Sequence, residues 1–551
     1  MTKIDHRSLL AARMAKDFSQ GRRSLLGAGA AAGALGLAGI GVGSAALVSD
    51  AHAQGQPVKR GGTIRLGWID ALDTLDPHYT SSLGSIKVIN NVFNGLLKVT
   101  WDGKKVGFEP DLAEKWDAIS DRVHVFRLRK GVKFHNGDPL NAEAVKWSVE
   151  RVRDPANKSQ HGYHYEDLSS VDVVDELTVR LTFSKPYAFL PVALTGSTGR
   201  AGTIVCRSAI EKLGRDYGRS PVGTGPFKFV SWRENDSIVL ERNPDYFEKD
   251  LPYLDRVEIR LIREPSSGVA ALLGGQVDGL SLVPFQFVPE LRKSPNIALY
   301  GQVEGNYSYV GMNNRKGPFM DANLRRAVAF AIDRDVIVKQ GYFGEAIPAF
   351  TPISPPMAPF YDPNIAKTTR GHRLDLKKAM EFRKKAADQG EVAPVYIVAE
   401  GFTGSGGSGT RISQLLAPML AKIGVKPKVE LSDRAAWLKR RNTGDFDMFD
   451  EAWIADLDPH ETITPEWSTG RQWNFVGYSN PEFDKLVGEA SDTLDTKRRI
   501  VLYNRAVDVL LDDAPLAMLA HMKVFKAFTK RVRGFQYVPV DLLNLHTVSL
   551  G

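Results

Sequence analysis

The sequence predicts a mixed α/β chain of more than one domain. Short alternating strands and amphipathic helices follow one another irregularly, with several hairpins among them, and that mixture argues for α/β domains. The 551 residues suffice for about three domains at roughly 150 residues each. No tandem repeat is visible, so a solenoid is not expected.

The first element is a leader. Arg22 and Arg23 precede Ser24-Leu25-Leu26, Ala28 to Val48 is dominated by Ala and Gly, and Ala51-His52-Ala53 has the A-x-A form of a cleavage site. Residues 1–53 therefore read as a signal peptide, with Gln54 first in the mature chain. A membrane anchor of about 20 residues is the competing reading. The Ala and Gly richness makes that span weakly hydrophobic, and the cleavage motif follows at once. The arginine pair resembles twin-arginine export signals, which implies passage across the inner membrane in folded form. Gly21 stands where such signals usually carry Ser or Thr.

Composition narrows the class. Cys206 is the single cysteine, so no intramolecular disulfide can form, and its distance from the cleavage site excludes a lipidated anchor there. Stability must come from core burial. The formal charge of +8 falls to near +5 once the leader's six basic and three acidic residues are removed. Runs such as Lys377-Lys378 and Lys384-Lys385 sit in helix-like segments and read as solvated faces. Zinc-ligand spacing and a glycine-rich phosphate loop are both missing, so nucleic acid is not expected as a partner.

In the mature chain, Gly62 to Trp68 reads as a first strand and Ile86 to Leu97 has helical spacing. Val123, Val125, Phe126 and Leu128 with Arg127 and Arg129 suit a strand with one wet face. Asn136-Gly137-Asp138-Pro139 is a turn, His135 beside it reads as a turn-packing residue, and Asn141 can cap a helix that buries Val145, Val149 and Val152. Val171 to Phe183 holds two strands around Val174-Asp175-Glu176. Gly223 to Phe229 and Ser237 to Asn243 form a hairpin, Val257 to Ile262 a strand, and Ser266 to Leu273 a helix ended by Gly274-Gly275. Later come a helix from Asn323 to Ile332, a helix from Asp375 to Ala387 and a buried strand from Val395 to Ala399. Gly404 to Gly409 is the one low-complexity patch, read as a loop before a helix that resumes at Ile412.

The stretch from Asp111 to Arg151 carries more than local structure. Asp111-Leu112-Ala113-Glu114-Lys115-Trp116, then Val125 to Gly137, then Ala142 to Ser148 resemble the signature of the extracytoplasmic solute-binding proteins of family 5. The hairpin at 223–243 with Asn243-Pro244-Asp245-Tyr246-Phe247, and Tyr309 to Asn313 with Asp333-Arg334-Asp335, resemble the same family. These proteins serve ABC importers for oligopeptides, dipeptides and nickel chelates. The resemblance implies a two-lobed periplasmic-binding-protein fold of the class II type, with an extra subdomain inserted in the first lobe. The expected division is 54–98 and 214–311 in the first lobe, 99–213 as the insert, 312–524 as the second lobe, and 525–551 returning to the first. It further implies a peptide or related amine-bearing solute, permease subunits in the inner membrane as partners, a monomer, and no catalysis or cofactor.

The richest constellation is Phe446 to Glu461, where an aromatic strand-like run ends in Asp456, Asp458 and Pro459. In peptide-binding relatives the aspartate of a similar Trp-x-x-Asp context holds the ligand's α-amino group, and Asp456 is the matching position. A carboxylate there suits an ammonium, since charge-assisted hydrogen bonds are about twice as strong as neutral ones. Trp453 would add a flat wall or a cation–π contact. Asp458, Trp473, Tyr79, Ser81 and Ser82 complete the candidate ligand residues. Asp456 and Asp458 could instead cap a helix beginning near His460.

Alternatives remain within and beyond that class. A nickel chelate would need imidazole ligands; His161 and His164 are three apart, but their context suggests a surface loop, and His460 shows no metal-binding partner. Sugars and opines are further solutes. A secreted hydrolase of short peptides or oligosaccharides is the reading from another class, though its two carboxylates should stand about 5–9 Å apart on separate elements. Changing both Arg22 and Arg23 to Lys is expected to leave precursor in the cytoplasm, and Edman sequencing of the exported wild type to begin at Gln54. Normal periplasmic yield from the double variant would exclude twin-arginine export.

Overall fold

Among the described residues, twelve strands form one continuous sheet, and a single long strand joins its two halves. The computed structural model describes residues 58–551 apart from 81, 104–105, 197–199, 388–391, 401–407 and 454–456. Strand Leu516–Thr529 is buried at nearly every position, as expected where both faces of a strand are covered. Its first half pairs with Tyr307–Met312. Its second half pairs with Ile297–Val303 and Gly279–Leu280.

The first-lobe half runs in the order Phe227–Arg233, Ser237–Arg242, Arg256–Leu261, Thr63–Trp68, Gly279–Leu280 and then the long strand. Thr63–Trp68 is parallel to both its neighbours, and Ile64 and Leu66 are fully buried. The second-lobe half runs Val425–Ser432, Val392–Glu400, Met448–Trp453, Tyr307–Met312 and the long strand. The chain passes between the halves along the long strand and again at Glu304–Asn306, which links Ile297–Val303 to Tyr307–Met312. The two crossings lie side by side, which is the geometry of a hinge.

Buried charge fills the crossing. Lys526 Nζ lies 2.8 Å from Asp541 and 3.9 Å from Glu304, while Lys87 Nζ lies 3.0 Å from Asp541 and 3.0 Å from Asp70. All five side chains are 0–6% exposed. Tyr537 donates to Glu304 and to the Val524 carbonyl. Burial raises Glu304 to about 7, while the two lysines hold Asp541 below its ordinary range against the cost of burial.

The segment between the first helix, Leu83–Val92, and the hairpin folds on itself. It forms a four-stranded antiparallel sheet in the order Ala113–Ala118, Val123–Leu128, Thr178–Phe183, Leu168–Asp175. Helix Ala142–Arg153 buries Val145, Val149 and Val152, and Asn141 caps it by accepting from the Ala144 amide at 2.9 Å. The segment is bolted to the first lobe. His135 Nε2 meets the Gly225 carbonyl at 3.0 Å and its amide donates to the Gly223 carbonyl at 2.8 Å. Gly223 and Gly225 must be glycine, because a Cβ would fall 2.1 Å from Val92 O and 2.5 Å from Val92 C. Asn94 Nδ2 donates to both Asp111 oxygens at 3.2 and 3.0 Å.

Some boundaries shift by a residue or two, but the helix expected over Ile86 to Leu97 spans Leu83–Val92, with Leu97 opening the strand Leu97–Trp101, and the hairpin strand expected from Gly223 begins at Phe227 because Gly223 and Gly225 pack against the Val92 backbone. The helix expected from Asn323 spans Ala322–Ala331, because Asp321 caps it through the Asn323 amide. That expected from Asp375 spans Leu376–Lys385, with Asp375 as its cap. Of the glycine-rich patch 404–409, residues 404–407 lie outside the described residues, while Ser408 and Gly409 already open helix Ser408–Ala421, ahead of the expected Ile412. His161 and His164 are 3% and 4% exposed, against the expected surface loop. They sit in and beside the turn Gly162–Tyr165, and packing onto Thr80 and Phe189 buries both. Among the described residues no helix is long and apolar enough to cross a membrane.

Every histidine among the described residues is buried or half-buried, and burial lowers each imidazole. His78, His124, His135, His460 and His521 fall to about 4, and His161 and His372 to about 3. His164 and His546 are lowered too. The unfolded chain takes up these protons near pH 6.5, the folded chain only near 4, so the unfolded state binds more protons in between. Asp111, raised to about 6, Glu304 and Glu466 act in the opposite direction but are fewer. The melting temperature is expected to fall steeply from about pH 6.5 to about 4. A flat profile over that interval would show that the imidazoles are not held neutral in the native protein.

Candidate functional site

The loop after the first strand is built by local polar bonds. Asp73 accepts from Thr80 Oγ1 at 2.6 Å and Ser85 Oγ at 2.7 Å. Asp76 pairs with Arg151 at 2.6 Å, tying the loop to the inserted helix. The same guanidinium lies 5.0 Å over the Tyr79 ring and donates to His78 Nδ1 at 2.9 Å. Tyr79 is half-buried, and burial above all raises its phenol. Ser82 caps helix Leu83–Val92 through the Ser85 amide and donates to the Ala71 carbonyl. Its hydroxyl is therefore committed to the fold. Ser81 lies outside the described residues.

On the second lobe, Met448–Trp453 pairs antiparallel with Tyr307–Met312, setting Trp453 opposite Tyr307 and Glu451 opposite Tyr309. Alternation places Glu451 and Trp453 on the face of Tyr307 and Tyr309. There the buried carboxylate of Glu466 accepts from both tyrosine hydroxyls, and burial raises it well above the carboxylate range. Glu451 pairs with Arg441, whose guanidinium lies 3.9 Å over the Phe475 ring. Trp453 meets Trp473 edge-on at 6.0 Å, and Trp473 meets Phe475 at 6.0 Å. Trp453 Nε1 donates to the Glu461 carbonyl at 3.3 Å. Trp453 and Trp473 thus join one half-buried aromatic wall.

Asp458 has another duty. It caps helix Pro459–Trp467 by accepting from the His460 amide at 2.8 Å. Its two oxygens also take Arg499 Nη2 at 2.9 and 3.1 Å, and the pair is buried. Asp456 lies outside the described residues.

The inserted segment closes against this second-lobe surface. Tyr163 donates to Glu461 at 2.5 Å, and Arg471 Nη1 reaches both oxygens of Glu166 at 2.8 Å. Lys185 bridges Asp167 and Asp492 at 3.2 and 3.3 Å. The Ala188 amide donates to the Ser491 carbonyl at 3.1 Å. His460, half-buried, packs on Phe189 at 5.2 Å and edge-on to Tyr187 at 6.1 Å. Loop, insert and second lobe therefore meet along one interlobe contact.

Of the described candidates, Trp453 and Trp473 stand together and Tyr79 faces the insert, whereas Ser82 and Asp458 are held by caps. Tyr163, Glu461, Glu466 and Arg441 were not foreseen. Tyr163 and Glu461 are 298 residues apart, so no local pattern marks the pair. Glu466 follows Glu461 on the same helix, and a buried acid among apolar helical neighbours was the one available signal. Among the described residues no group of three His, Cys, Asp or Glu side chains could hold a metal ion. His161 Nε2 instead meets the Thr80 carbonyl at 2.9 Å, and His164 stacks on Phe189 at 5.6 Å.

Comparison with known proteins agrees with this architecture. Residues 107–475 match the family model of the bacterial extracellular solute-binding proteins, family 5 Middle. The glutathione-binding protein GsiB of Pectobacterium atrosepticum is 27% identical over 491 residues, covering 87% of this chain and 92% of that protein. The periplasmic binding protein DppA from Helicobacter pylori, solved with the peptide STSA, superposes with a TM-score of 0.79 at 27% identity over 89% of this chain and 98% of its own. AgaA from A. tumefaciens R10, solved with agropinic acid, gives 0.79 at 26% identity over 89% and 99%.

The ion pair between Arg471 and Glu166 offers a test of the interlobe contact. Arg471→Glu is expected to shift the ligand-free protein toward separated lobes by about two- to fivefold, the range for a half-exposed pair. Single-molecule energy transfer between cysteine labels at the exposed positions Glu114 and Lys439 reads the shift. Adding Glu166→Arg should restore the wild-type distribution. Identical distributions in all three proteins would show that the pair does not hold the lobes.

Proposed function

Because the chain belongs to the bacterial extracellular solute-binding proteins of family 5, we propose that it captures a peptide or related amine-bearing solute between its lobes for the permease of an ABC importer. The observation that supports this reading is a pair of adjacent chain crossings joining two lobes whose facing surfaces meet at Tyr163 with Glu461 and Arg471 with Glu166, beside the Trp453–Trp473 pair. The relatives supply the first solutes to try: glutathione, the peptide STSA and agropinic acid. The protein binds and releases its solute without turning it over. Residues 1–53 direct it to the periplasm, where it acts as a monomer. The proposed division into first lobe (54–98, 214–311, 525–551), insert (99–213) and second lobe (312–524) is supported by the self-contained four-stranded sheet within the insert.

Asp456 follows Trp453 by three residues and is proposed to hold the solute's ammonium group. Two observations support it. The helix-capping role that competes for this residue is filled by Asp458. The neighbouring acids Glu451, Asp458 and Glu461 already engage Arg441, Arg499 and Tyr163. Closure then follows from the hinge: solute bridges two lobes that otherwise part, and the bridged form is the one the permease reads.

Calorimetry with the three solutes decides the reading, and heat from binding without new products in the chromatogram is the expected outcome. Ligand at a hundredfold excess over its dissociation constant should stabilise the protein by about 2.7 kcal/mol. Asp456→Asn keeps the shape and removes the charge. Its dissociation constant should rise by about one to two orders of magnitude, with the ligand-free melting temperature unchanged. Normal affinity in the variant would remove the ammonium anchor and turn the assignment toward a neutral solute such as a sugar. Released hydrolysis products would instead favour the hydrolase.

A further inference from the structure

We propose that His460 makes lobe closure acid-sensitive: protonation of its imidazole drives the second lobe off the insert. His460 lies in the first turn of helix Pro459–Trp467. Its half-buried ring sits on Phe189 at 5.2 Å and edge-on to Tyr187 at 6.1 Å, both on the insert. Phe189 stacks in turn on His164 at 5.6 Å, and His164 on His161 at 6.4 Å. His161 ends the row by meeting the Thr80 carbonyl at 2.9 Å. Four rings thus run unbroken from the loop after the first strand to the second lobe, and three of them are imidazoles.

What the ring nitrogens meet is neutral. His161 Nε2 faces a carbonyl, His460 Nδ1 lies 3.4 Å from the Thr464 hydroxyl, and His164 Nδ1 is buried with no partner. The acids nearby are engaged by others. Asp458 takes Arg499 at 2.9 Å, Glu461 the Tyr163 hydroxyl at 2.5 Å and Glu166 Arg471 at 2.8 Å. Asp167 and Asp492 share Lys185 at 3.2 and 3.3 Å. Asp458 favours a charge on His460, but Arg499, Arg471 and Lys185 oppose it. Arg200 opposes charge on His161 and His164, and His78 opposes it on His161. Burial pushes the Tyr187 phenol up, so it stays neutral. An imidazolium at 460 would therefore occupy an aromatic seat rimmed by cations whose own carboxylates are already paired.

The sign of the effect follows from water. In the contact, burial above all lowers His460 to about 4. When the lobes part, the ring regains water on the side that faced Phe189 and Tyr187, and its imidazole returns toward the ordinary value of about 6.5. Between these values the open form binds the extra proton, so falling pH favours opening. His161 stays bonded to Thr80 in either form and His164 stays under Phe189, so the change falls on His460. The ion pairs of the rim are about half exposed and resist little. Acid would then loosen a captured solute, a consequence that rests on the capture reading.

The test uses the mature protein without solute, so its outcome is independent of solute capture. Single-molecule energy transfer between labels on cysteines placed at Glu114 and Lys439 reads the ratio of joined to separated lobes at about pH 7.5 and about pH 5.5, at constant ionic strength. In wild type the ratio should fall about three- to tenfold between them. His460→Gln keeps a polar side chain that cannot ionise, and His460→Phe fills the same seat with a neutral ring. Each should respond by less than about twofold, and melting curves at both pH values select the variant that folds as wild type does. An unchanged ratio in wild type overturns the inference. So does a full wild-type response in a folded variant, which would assign the effect to the rim carboxylates of Glu166, Asp167 and Asp492.

Discussion

The buried chain of charges from Asp70 through Lys87, Asp541 and Lys526 to Glu304 is the constraint on which the two-lobed architecture turns. It ties the loop after the first strand, the first helix, the C-terminal segment and both interlobe crossings into one knot. Such a knot is not a cheap source of stability, since desolvation offsets much of the attraction. What it imposes is geometry. Each charge tolerates burial only while its partners stay in place, 2.8–3.9 Å away, so the crossings can twist together but cannot slide apart. Three acids against two ammonium groups leave one negative charge in excess, and the raised Glu304 relieves it by holding a proton near neutral pH.

That rigid crossing makes the periphery of the interlobe contact the place where motion can occur. The contacts there differ in kind from those at the crossing. Arg471 with Glu166 and Lys185 with Asp492 are about half exposed, so water screens them and each contributes little. His460, half-buried, instead packs on the buried rings of Phe189 and Tyr187. Weak, wet ion pairs around a buried aromatic seat suit surfaces that meet and part, because little free energy is lost when water replaces them.

The inserted subdomain gains a specific role from this arrangement. Its family-like signature, from Asp111 to Arg151, contributes mostly to anchorage: Asp111 to Asn94, His135 to the Gly223–Gly225 loop, and Arg151 to Asp76. These bonds fix the subdomain to the first lobe. Its other edge, from His161 to Phe189, then faces the second lobe as part of the same rigid body. The residues that identify the family are thus chiefly those that position the insert, and the residues that face the interlobe contact are less distinctive in type.

Local order and fold class were legible in the sequence, because strand alternation, helix spacing and Asn141 as a cap depend on neighbours along the chain, whereas the loop role of Gly223 and Gly225, read as part of a strand, is set by their packing on Val92. The two-lobed plan was legible through resemblance, and Trp453 with Trp473 through aromatic clustering. The fate of each polar candidate was not. Ser82 and Asp458 carry the same chemistry whether they bind a solute or cap a helix, and only the positions of the Ala71 carbonyl and Arg499 assign them to the fold. His161 and His164 read as surface residues until Thr80 and Phe189, distant in sequence, cover them. Tyr163 with Glu461 emerges only when segments hundreds of residues apart are packed. Local pattern determines what an element is. Burial and partnership, which decide whether a charge is spent within the fold or left for a ligand, are properties of the packed chain.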